Sequence, residues 1–293
     1  MSNEIKYDLP FEEYKDIDAV NASSFSYIDP DRDGCPAIWN QRFNYPVELD
    51  ETAALSFGKA FHKYVLEFES FDASYVALTE AKKGELFDKA LAAGSKAKGF
   101  SRALASYKEW VKELQEQGQE IIDEDTLVTL QRMRESVCDS MLSDLARAGD
   151  RETEVSLIGN LSDHRGNNVL CKGRLDLLKL PHIIDLKTVA SASPVALGRF
   201  IAKFKLYVQA AFYVDLLESQ GHEGVEFSWI FVDKRAPYPV VTYRLTESML
   251  KLGRNEYRAF LGWIHDGREK NHWPGHSNMI EFSNWFQTLL DEI

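Results

Sequence analysis

The sequence predicts an α/β fold in which a central mixed β-sheet carries helices on both faces, with an additional helical insert over residues 101–147. Three observations predict it. The stretch Val169–Val189 is typical of two strands joined by a turn at Pro181, because proline cannot continue a ladder. Glu226–Asp233 is apolar enough to form a central strand. Amphipathic segments with apolar residues at helical spacing surround these strands.

The first half of the chain is predicted to be turn-rich and then helical. Residues 1–50 contain closely spaced Pro, Gly and Asp, which favour turns. Apolar spacing predicts a helix over Thr52–Phe68. Lysines and glycines alternate over 69–101, which is either a solvated, partly mobile segment or a basic flap that contacts phosphates. Helices over Ser101–Gln117 and Glu124–Arg147 bury apolar stripes and form the insert.

The second half is predicted to hold the sheet. Residues Arg151–Leu161 form a strand that pairs, through a turn, with the strand Val169–Leu178. A single helix follows the break at Ala190–Pro194 and continues to Glu218. The remaining predicted elements are a hairpin partner at Val240–Leu245, a helix from Thr246 to about Asp266 and a closing helix at Asn284–Leu290. No internal repeat interrupts the pattern, so a single domain over 1–293 is expected.

Composition restricts the class of protein. The 293 residues are 44% apolar, which suits a globular core. No stretch approaches the roughly 20 apolar residues of a membrane span, and the N-terminus does not resemble a signal peptide. A cytoplasmic location is therefore expected. Three distant cysteines favour neither a disulfide framework nor a four-cysteine iron–sulfur cluster.

The net charge is −12. A general nucleic-acid binder would show a basic footprint, so this charge argues against that class. An enzyme with a narrow site needs only local positive charge, part of which metal ions can supply.

The candidate catalytic residues lie on the two strands predicted within Val169–Val189. Asp176 and Asp185 lie on paired strands, and Asp185 and Lys187 share one face because they are two residues apart. Burying two acids is costly unless something compensates their charge. Mg²⁺, which prefers carboxylate and carbonyl oxygens, would do so. Such an ion can activate water and offset charge on a phosphate, with Lys187 orienting the water. The alternative is a salt bridge between strands.

Four motifs occur in a fixed order: Gly58-x-x-x-His62, Gly173-x-x-Asp176, Ile183-Ile-Asp-Leu-Lys-Thr188 and Gln209-x-x-x-Tyr213. Together with a late Trp273–Pro274, they resemble the PD-(D/E)xK nuclease superfamily in its RecB-like branch, and within it the RecE-type exonuclease domains. The resemblance runs from about Val20 to about Leu290. One departure is Leu175, which stands where the superfamily name has proline. That position shapes backbone and carries no chemistry.

The resemblance implies a set of site residues on a PD-(D/E)xK nuclease core. One or two Mg²⁺ ions, with Mn²⁺ as a substitute, would be bound by His62, Glu154, Asp176, Asp185 and the Leu186 carbonyl. Gln209 and Tyr213 would join Asp176, Asp185 and Lys187 as catalytic residues. Predicted DNA contacts are Arg174, Thr188, Arg199, Lys203 and Lys205. From the residues alone Glu152 is nearly as good a ligand as Glu154, and surface charge is the alternative for both.

The resemblance also implies a function. RecE-type enzymes digest duplex DNA from its ends, in the 5′ to 3′ direction, during recombination in a bacterial or phage-infected cell. They form toroidal homo-oligomers, expected here as a tetramer, and work with a single-strand annealing protein. Two alternatives remain: a structure-specific endonuclease, and a DNA-binding or assembly module without activity. The complete set of acidic ligands argues against the inactive module.

Overall fold

A computed structural model describes residues 3–46, 52–139 and 152–276. Its strands are β1 (Glu4–Lys6), β2 (Tyr75–Leu78), β3 (Glu120–Asp123), β4 (Glu152–Ser162), β5 (Asn168–Lys179), β6 (His182–Val189), β7 (Glu226–Asp233) and β8 (Val240–Arg244). Six of them form the main sheet in the order β1-β4-β5-β6-β7-β8. Strands β6 and β7 are parallel, and every other neighbour in this sheet is antiparallel.

The helices are α1 (Phe11–Asp16), α2 (Pro36–Asn44), α3 (Ala53–Leu66), α4 (Phe71–Ser74), α5 (Glu80–Ala92), α6 (Ala105–Glu116), α7 (Glu124–Asp139), α8 (Pro194–Phe204), α9 (Leu206–Glu218) and α10 (Glu247–Lys270). Helices α8 and α9 form the crossover between the parallel strands β6 and β7, as a parallel pair requires. No helix in the described ranges is both long enough and apolar enough to cross a bilayer.

Alternating side chains of β6 and β7 separate two apolar layers. Ile183 and Trp229 pack on one face against α9 and α10, whereas Ile184 and Ile230 pack on the other face against α3 and α7. Period-2 alternation of apolar residues in a strand covered on both faces has this result. The predicted α/β class, with a mixed sheet between helices, is confirmed.

The region 69–101 differs from both predictions made for it. Most of it is ordered in α4, β2 and α5. The three lysines of α5 are paired with acids: Lys82 with Glu85, Lys83 with Glu80 at 2.6 Å, and Lys89 with Glu109 of α6 at 2.8 Å. The signal for this pairing in the sequence is the presence of glutamates three residues from the lysines, at helical spacing. A basic flap is therefore not formed by these lysines.

The helix predicted from residue 194 to Glu218 is two helices. Lys205 adopts a left-handed conformation, with φ 48°, and separates α8 from α9. Helix α10 runs four residues beyond the predicted end at Asp266. The predicted closing helix at 284–290 and the end of the helix predicted to reach Arg147 lie outside the described residues. The late tryptophan has a structural role, since Trp273 stacks on Trp39 of α2 at 5.4 Å.

Candidate active site

The site lies where β5 and β6 separate. The paired part of these two strands ends at Leu177 and Ile184. Asp176 and Asp185 would form the next pair, but they are not paired. Beyond that point a side chain takes the place of the backbone hydrogen bond between the strands: the Leu186 N–H donates to Asp176 Oδ2 at 2.8 Å. The gap between two diverging strands thus holds both predicted acids. Leu186 contributes its N–H here, and binding of an ion by its carbonyl stays a prediction.

Glu154 enters the same gap from β4. It lies across from Asp176, and its backbone is left-handed with φ 55°, a conformation that is uncommon for a residue other than glycine. Arg174 Nε donates to Glu154 Oε2 at 2.6 Å, and Arg174 Nη1 donates to the Leu9 carbonyl at 2.8 Å. Glu152 is exposed, opposite Leu178. The geometry therefore selects Glu154 over Glu152.

His62 completes a cluster of three possible ligands. Helix α3 buries Ala60 and Phe61 against the sheet, which brings His62 Nδ1 to 3.5 Å from Asp176 Oδ1. One ligand atom each from His62, Glu154 and Asp176 lie within 4.8 Å of one another. A close backbone approach would account for a glycine at position 58, but a Cβ there would meet nothing within 4 Å. The glycine leaves open space one turn from His62.

Asp185 and Lys187 form a buried pair on β6. Lys187 Nζ lies 2.6 Å from Asp185 and donates a hydrogen bond to Oδ1. Asp185 is only 3% exposed, and the same ammonium also lies 2.6 Å from its Oδ2, although without the geometry of a hydrogen bond. An ionised carboxylate has about four lone-pair sites, and the single ammonium leaves some of them unfilled. Asp185 therefore retains capacity for a further positive partner.

Four ionisable groups of the site form two pairs, His62 with Asp176 and Asp185 with Lys187. Burial raises the pKa of Asp185, and the neighbouring Asp176 adds to that rise against the opposing effect of Lys187. Burial also acts on Asp176, but the charges of His62 and Lys187 outweigh it and hold its pKa low. Burial disfavours charged His62, yet Asp176 raises its pKa. Asp176 is thus already compensated, whereas the ionised form of Asp185 is disfavoured by burial.

A divalent cation fits these residues. The donors are two or three carboxylates and one imidazole, which suits Mg²⁺ or Mn²⁺. The Asp185 carboxylate and the three-ligand cluster both lie at the gap between β5 and β6. Residues of this site that would hold such an ion are His62, Glu154, Asp176 and Asp185.

Gln209 and Tyr213 lie together beside the gap. Gln209 Nε2 donates to the Tyr213 hydroxyl at 3.2 Å, as expected for residues one turn apart on α9. The Tyr213 ring lies over Gly173, where a Cβ would come within 2.8 Å of ring carbon Cε1. The glycine of the Gly-x-x-Asp motif therefore makes room for the tyrosine.

The predicted DNA contacts fall into two groups. Arg199 and Lys203 are exposed on α8, and neither forms an ion pair with any residue that the structure describes. Thr188 is half-buried next to Lys187. Arg174 instead binds Glu154, as described above. Arg199 and Lys203 are therefore the two members of the set whose charge is available to a ligand.

Lys205 is placed differently from its prediction. Its Nζ lies 2.7 Å from Asp31, 2.9 Å from Asp29 and 2.9 Å from Glu256. These three carboxylates raise the pKa of Lys205 although burial opposes its charge. The lysine anchors the N-terminal turn to the junction of α8 and α9, and its charge is already compensated. Asp29 and Asp31 were missed in the sequence, where their only signal was the turn composition.

Comparisons with known proteins agree with this architecture. The family model described as "PDDEXK-like domain of unknown function (DUF3799)" matches residues 20–284. The crystal structure of a protein from Eubacterium rectale, described as "Putative exonuclease", superposes with a TM-score of 0.59 at 14% identity, covering 98% of this chain and 99% of its own. At this identity the likeness shows the fold alone.

A second solved structure, of a protein named SSO0001, covers 69% of this chain and 85% of its own at 14% identity. Its TM-score of 0.27 is too low to support any conclusion. No protein with a curated description matches the sequence.

Proposed function

Because this chain belongs to the family of PDDEXK-like domains, whose model matches residues 20–284, we propose that it is a metal-dependent nuclease that hydrolyses phosphodiester bonds in DNA. One observation carries the proposal. The cluster of His62, Glu154 and Asp176 lies at the same strand gap as the buried pair of Asp185 and Lys187. Ligands and a charged amine are thus assembled where β5 and β6 open.

Each residue has a distinct part in the proposed reaction. When bound, a divalent cation supplies positive charge for the scissile phosphate and the leaving oxygen. Lys187 is charged, since Asp185 and Asp176 raise its pKa against the effect of burial. Its ammonium can donate hydrogen bonds to the attacking water or to a phosphate oxygen. Arg174 holds Glu154 in place, and the Leu186 N–H holds Asp176.

The finer proposal is a Mg²⁺-dependent exodeoxyribonuclease that acts from duplex ends, in the 5′ to 3′ direction, in recombination or repair. Support comes from the resemblance to RecE-type domains. A chain with net charge −12 has little electrostatic hold on DNA. Processive digestion then needs topological retention, and a closed ring, expected to be a tetramer, would provide it. A single-strand annealing protein is the proposed partner, in the cytoplasm of a bacterial or phage-infected cell.

Digestion of matched DNA substrates tests the proposal. End-labelled linear duplex and covalently closed duplex are incubated with Mg²⁺, Mn²⁺ or EDTA, using wild type and Lys187→Ala. Lys179→Ala is the matched control, because Lys179 is a half-buried lysine that ends β5 three residues beyond Asp176 and pairs with His182 outside the gap. Wild type and Lys179→Ala should digest linear duplex with either metal, while EDTA and Lys187→Ala abolish digestion. Absence of cutting by wild type with both metals would refute the nuclease.

Three further readouts test the finer proposal. Labels on either strand end report polarity, and light scattering reports the oligomeric mass. After loading onto DNA, activity should fall less steeply with salt than before loading. Rapid cutting of closed duplex, or a monomer at working concentration, would contradict the ring and favour a structure-specific endonuclease.

A further inference from the structure

A cavity of about 340 Å³ opens beside Lys187 and Gln209. Its lining includes Ser23 and Arg32 from the N-terminal segment and Phe200 and Phe204 from the end of α8. Small-molecule sites have volumes of roughly 300–1,000 Å³, so this cavity suits a single nucleotide-sized group. It connects the amine of the proposed active site to an aromatic wall.

Phe204 is the unusual residue in that wall. It is 40% exposed although its neighbour Phe200, at 4.7 Å between ring centroids, anchors it to Phe231 of the sheet. The chain turns immediately after it, at left-handed Lys205. Because three carboxylates hold Lys205, the end of α8 is fixed, and Phe204 is held at the cavity rather than folded into the core.

Two cations lie against this exposed ring. The Arg32 guanidinium is 6.0 Å and Lys203 Nζ is 5.5 Å from the ring centroid. Both distances are near the outer limit of a cation–π contact, about 6 Å. Neither cation forms an ion pair with a described residue, so both charges remain available for phosphate. An isolated exposed phenylalanine is ordinary, but an anchored ring with two unpaired cations near it, in a cavity that Lys187 also lines, has the composition of a single-strand binding surface.

We propose that Phe204 stacks on a nucleobase of the substrate strand, and that the cavity takes one unpaired nucleotide next to the bond to be cut. Arg32 and Lys203 bind the phosphates that flank this nucleotide. The ligand is single-stranded nucleic acid, or the unpaired end of a duplex. The inference rests on the proposed function for the identity of the substrate, and it adds the requirement that one base leaves the helical stack.

Three variants test the stacking. Phe204→Ala removes the ring, and Phe204→Tyr keeps it. Trp263→Ala is the matched control, because Trp263 is 39% exposed and does not line the cavity. Loss of a base stack weakens binding by roughly 5-fold to 100-fold. We expect that loss in Phe204→Ala, near wild-type behaviour in Phe204→Tyr and no loss in Trp263→Ala. Binding of a fluorescent oligonucleotide is measured in EDTA, and initial rates are measured with Mg²⁺.

Abasic substrates make the test specific for the base. A single abasic nucleotide is placed at each position near the strand end in turn. At one position wild type should lose the same factor that Phe204→Ala loses on normal DNA. At that position Phe204→Ala should lose nothing more, because the ring and the base are the two halves of one contact.

The outcomes separate the two proposals. Cleavage by wild type without any abasic discrimination, or equal losses in wild type and Phe204→Ala, would overturn the stacking and leave the nuclease intact. Base discrimination in binding without cleavage would support the stacking and refute the nuclease. Absence of both binding and cleavage would refute both. A change of oligomeric mass in Phe204→Ala, with base discrimination unchanged, would identify the wall as a contact between copies and also overturn the stacking.

Discussion

Replacing Asp185 by asparagine is expected to stabilise the metal-free protein and to abolish its response to metal. Asparagine keeps the shape of the side chain and removes its charge. Burial, together with the nearby Asp176, raises the pKa of Asp185 from 3.8 to about 6 even though Lys187 opposes the rise. The folded state therefore tolerates ionised Asp185 less well than the unfolded state does.

The magnitude and its pH dependence follow from those two values. A difference between 3.8 and about 6 corresponds to ~3 kcal/mol against folding at neutral pH, as an upper limit. Below pH 3.8 the carboxyl group is protonated in both states, so the penalty is absent. It grows as the pH rises from 3.8 to about 6 and is complete above that. At about 2 °C per kcal/mol, the variant should melt up to ~6 °C higher at pH 8.

Thermal melting in EDTA and in Mn²⁺ measures both effects. Without metal the variant should melt higher than wild type at pH 8 and equally near pH 3.5. Wild type alone should gain stability in Mn²⁺, because a ligand that binds the folded state stabilises it. Asp163→Asn is a control of opposite sign. Its buried carboxylate accepts hydrogen bonds from Asn167 and Arg165, which hold its pKa low against burial. Loss of that charge should destabilise the protein.

Three results would refute this reasoning. One is a variant that melts lower than wild type in EDTA at pH 8. Another is a difference in melting temperature that does not change with pH, since the penalty must follow the titration of the carboxyl group. The last is an equal gain from Mn²⁺ in both proteins, which would remove Asp185 from the ligand set. Nuclease activity of the variant within tenfold of wild type would also remove it.

Three further predictions concern single positions. Lys187→Ala is expected to abolish turnover and keep Mn²⁺ binding in a calorimetric titration; loss of binding as well would make the lysine structural. His62→Ala is expected to move activity to higher metal concentration and to change the Mn²⁺ to Mg²⁺ rate ratio; an unchanged metal titration would leave the histidine a packing residue. Gly173→Ala should destabilise the folded protein by about 1–3 kcal/mol, because the added Cβ meets the Tyr213 ring. Gly58→Ala should stabilise the folded protein by about 0.5–1 kcal/mol, because Gly58 lies in a helix with open space around it. Urea titrations that give the same sign for both variants would contradict this prediction.

Local patterns predicted the strands of the site well. The bounds of β7 match the predicted strand, and the predicted turn at Pro181 joins β5 to β6. Each of these features depends on neighbouring residues, namely apolar alternation and a proline that cannot continue a ladder. The spacing of Asp185 and Lys187 placed both on one face for the same reason, and they are in contact.

Features that depend on distant partners were not predictable. Lys205 was predicted to continue a helix and contact DNA, because its carboxylate partners Asp29, Asp31 and Glu256 are far away in the sequence. Tertiary contacts of this kind override local propensity. Strand alternation could not distinguish Glu154 from Glu152 as the ligand, because residues two apart share a face. What distinguishes them in the structure includes the left-handed backbone of Glu154, which alternation does not predict.

The four candidate ligands come from four elements, with His62 on α3 far in advance of the acids on β4, β5 and β6. Contacts between segments so distant in sequence are slow to form, because a long loop must close first. A chain emerging from the ribosome exposes His62 while the acidic strands are still unsynthesised. The nascent protein therefore has no assembled site, and the four side chains come together only when β4, β5 and β6 have joined α3. Uptake of Mn²⁺ during refolding would accordingly report the docking of α3 onto β4, β5 and β6.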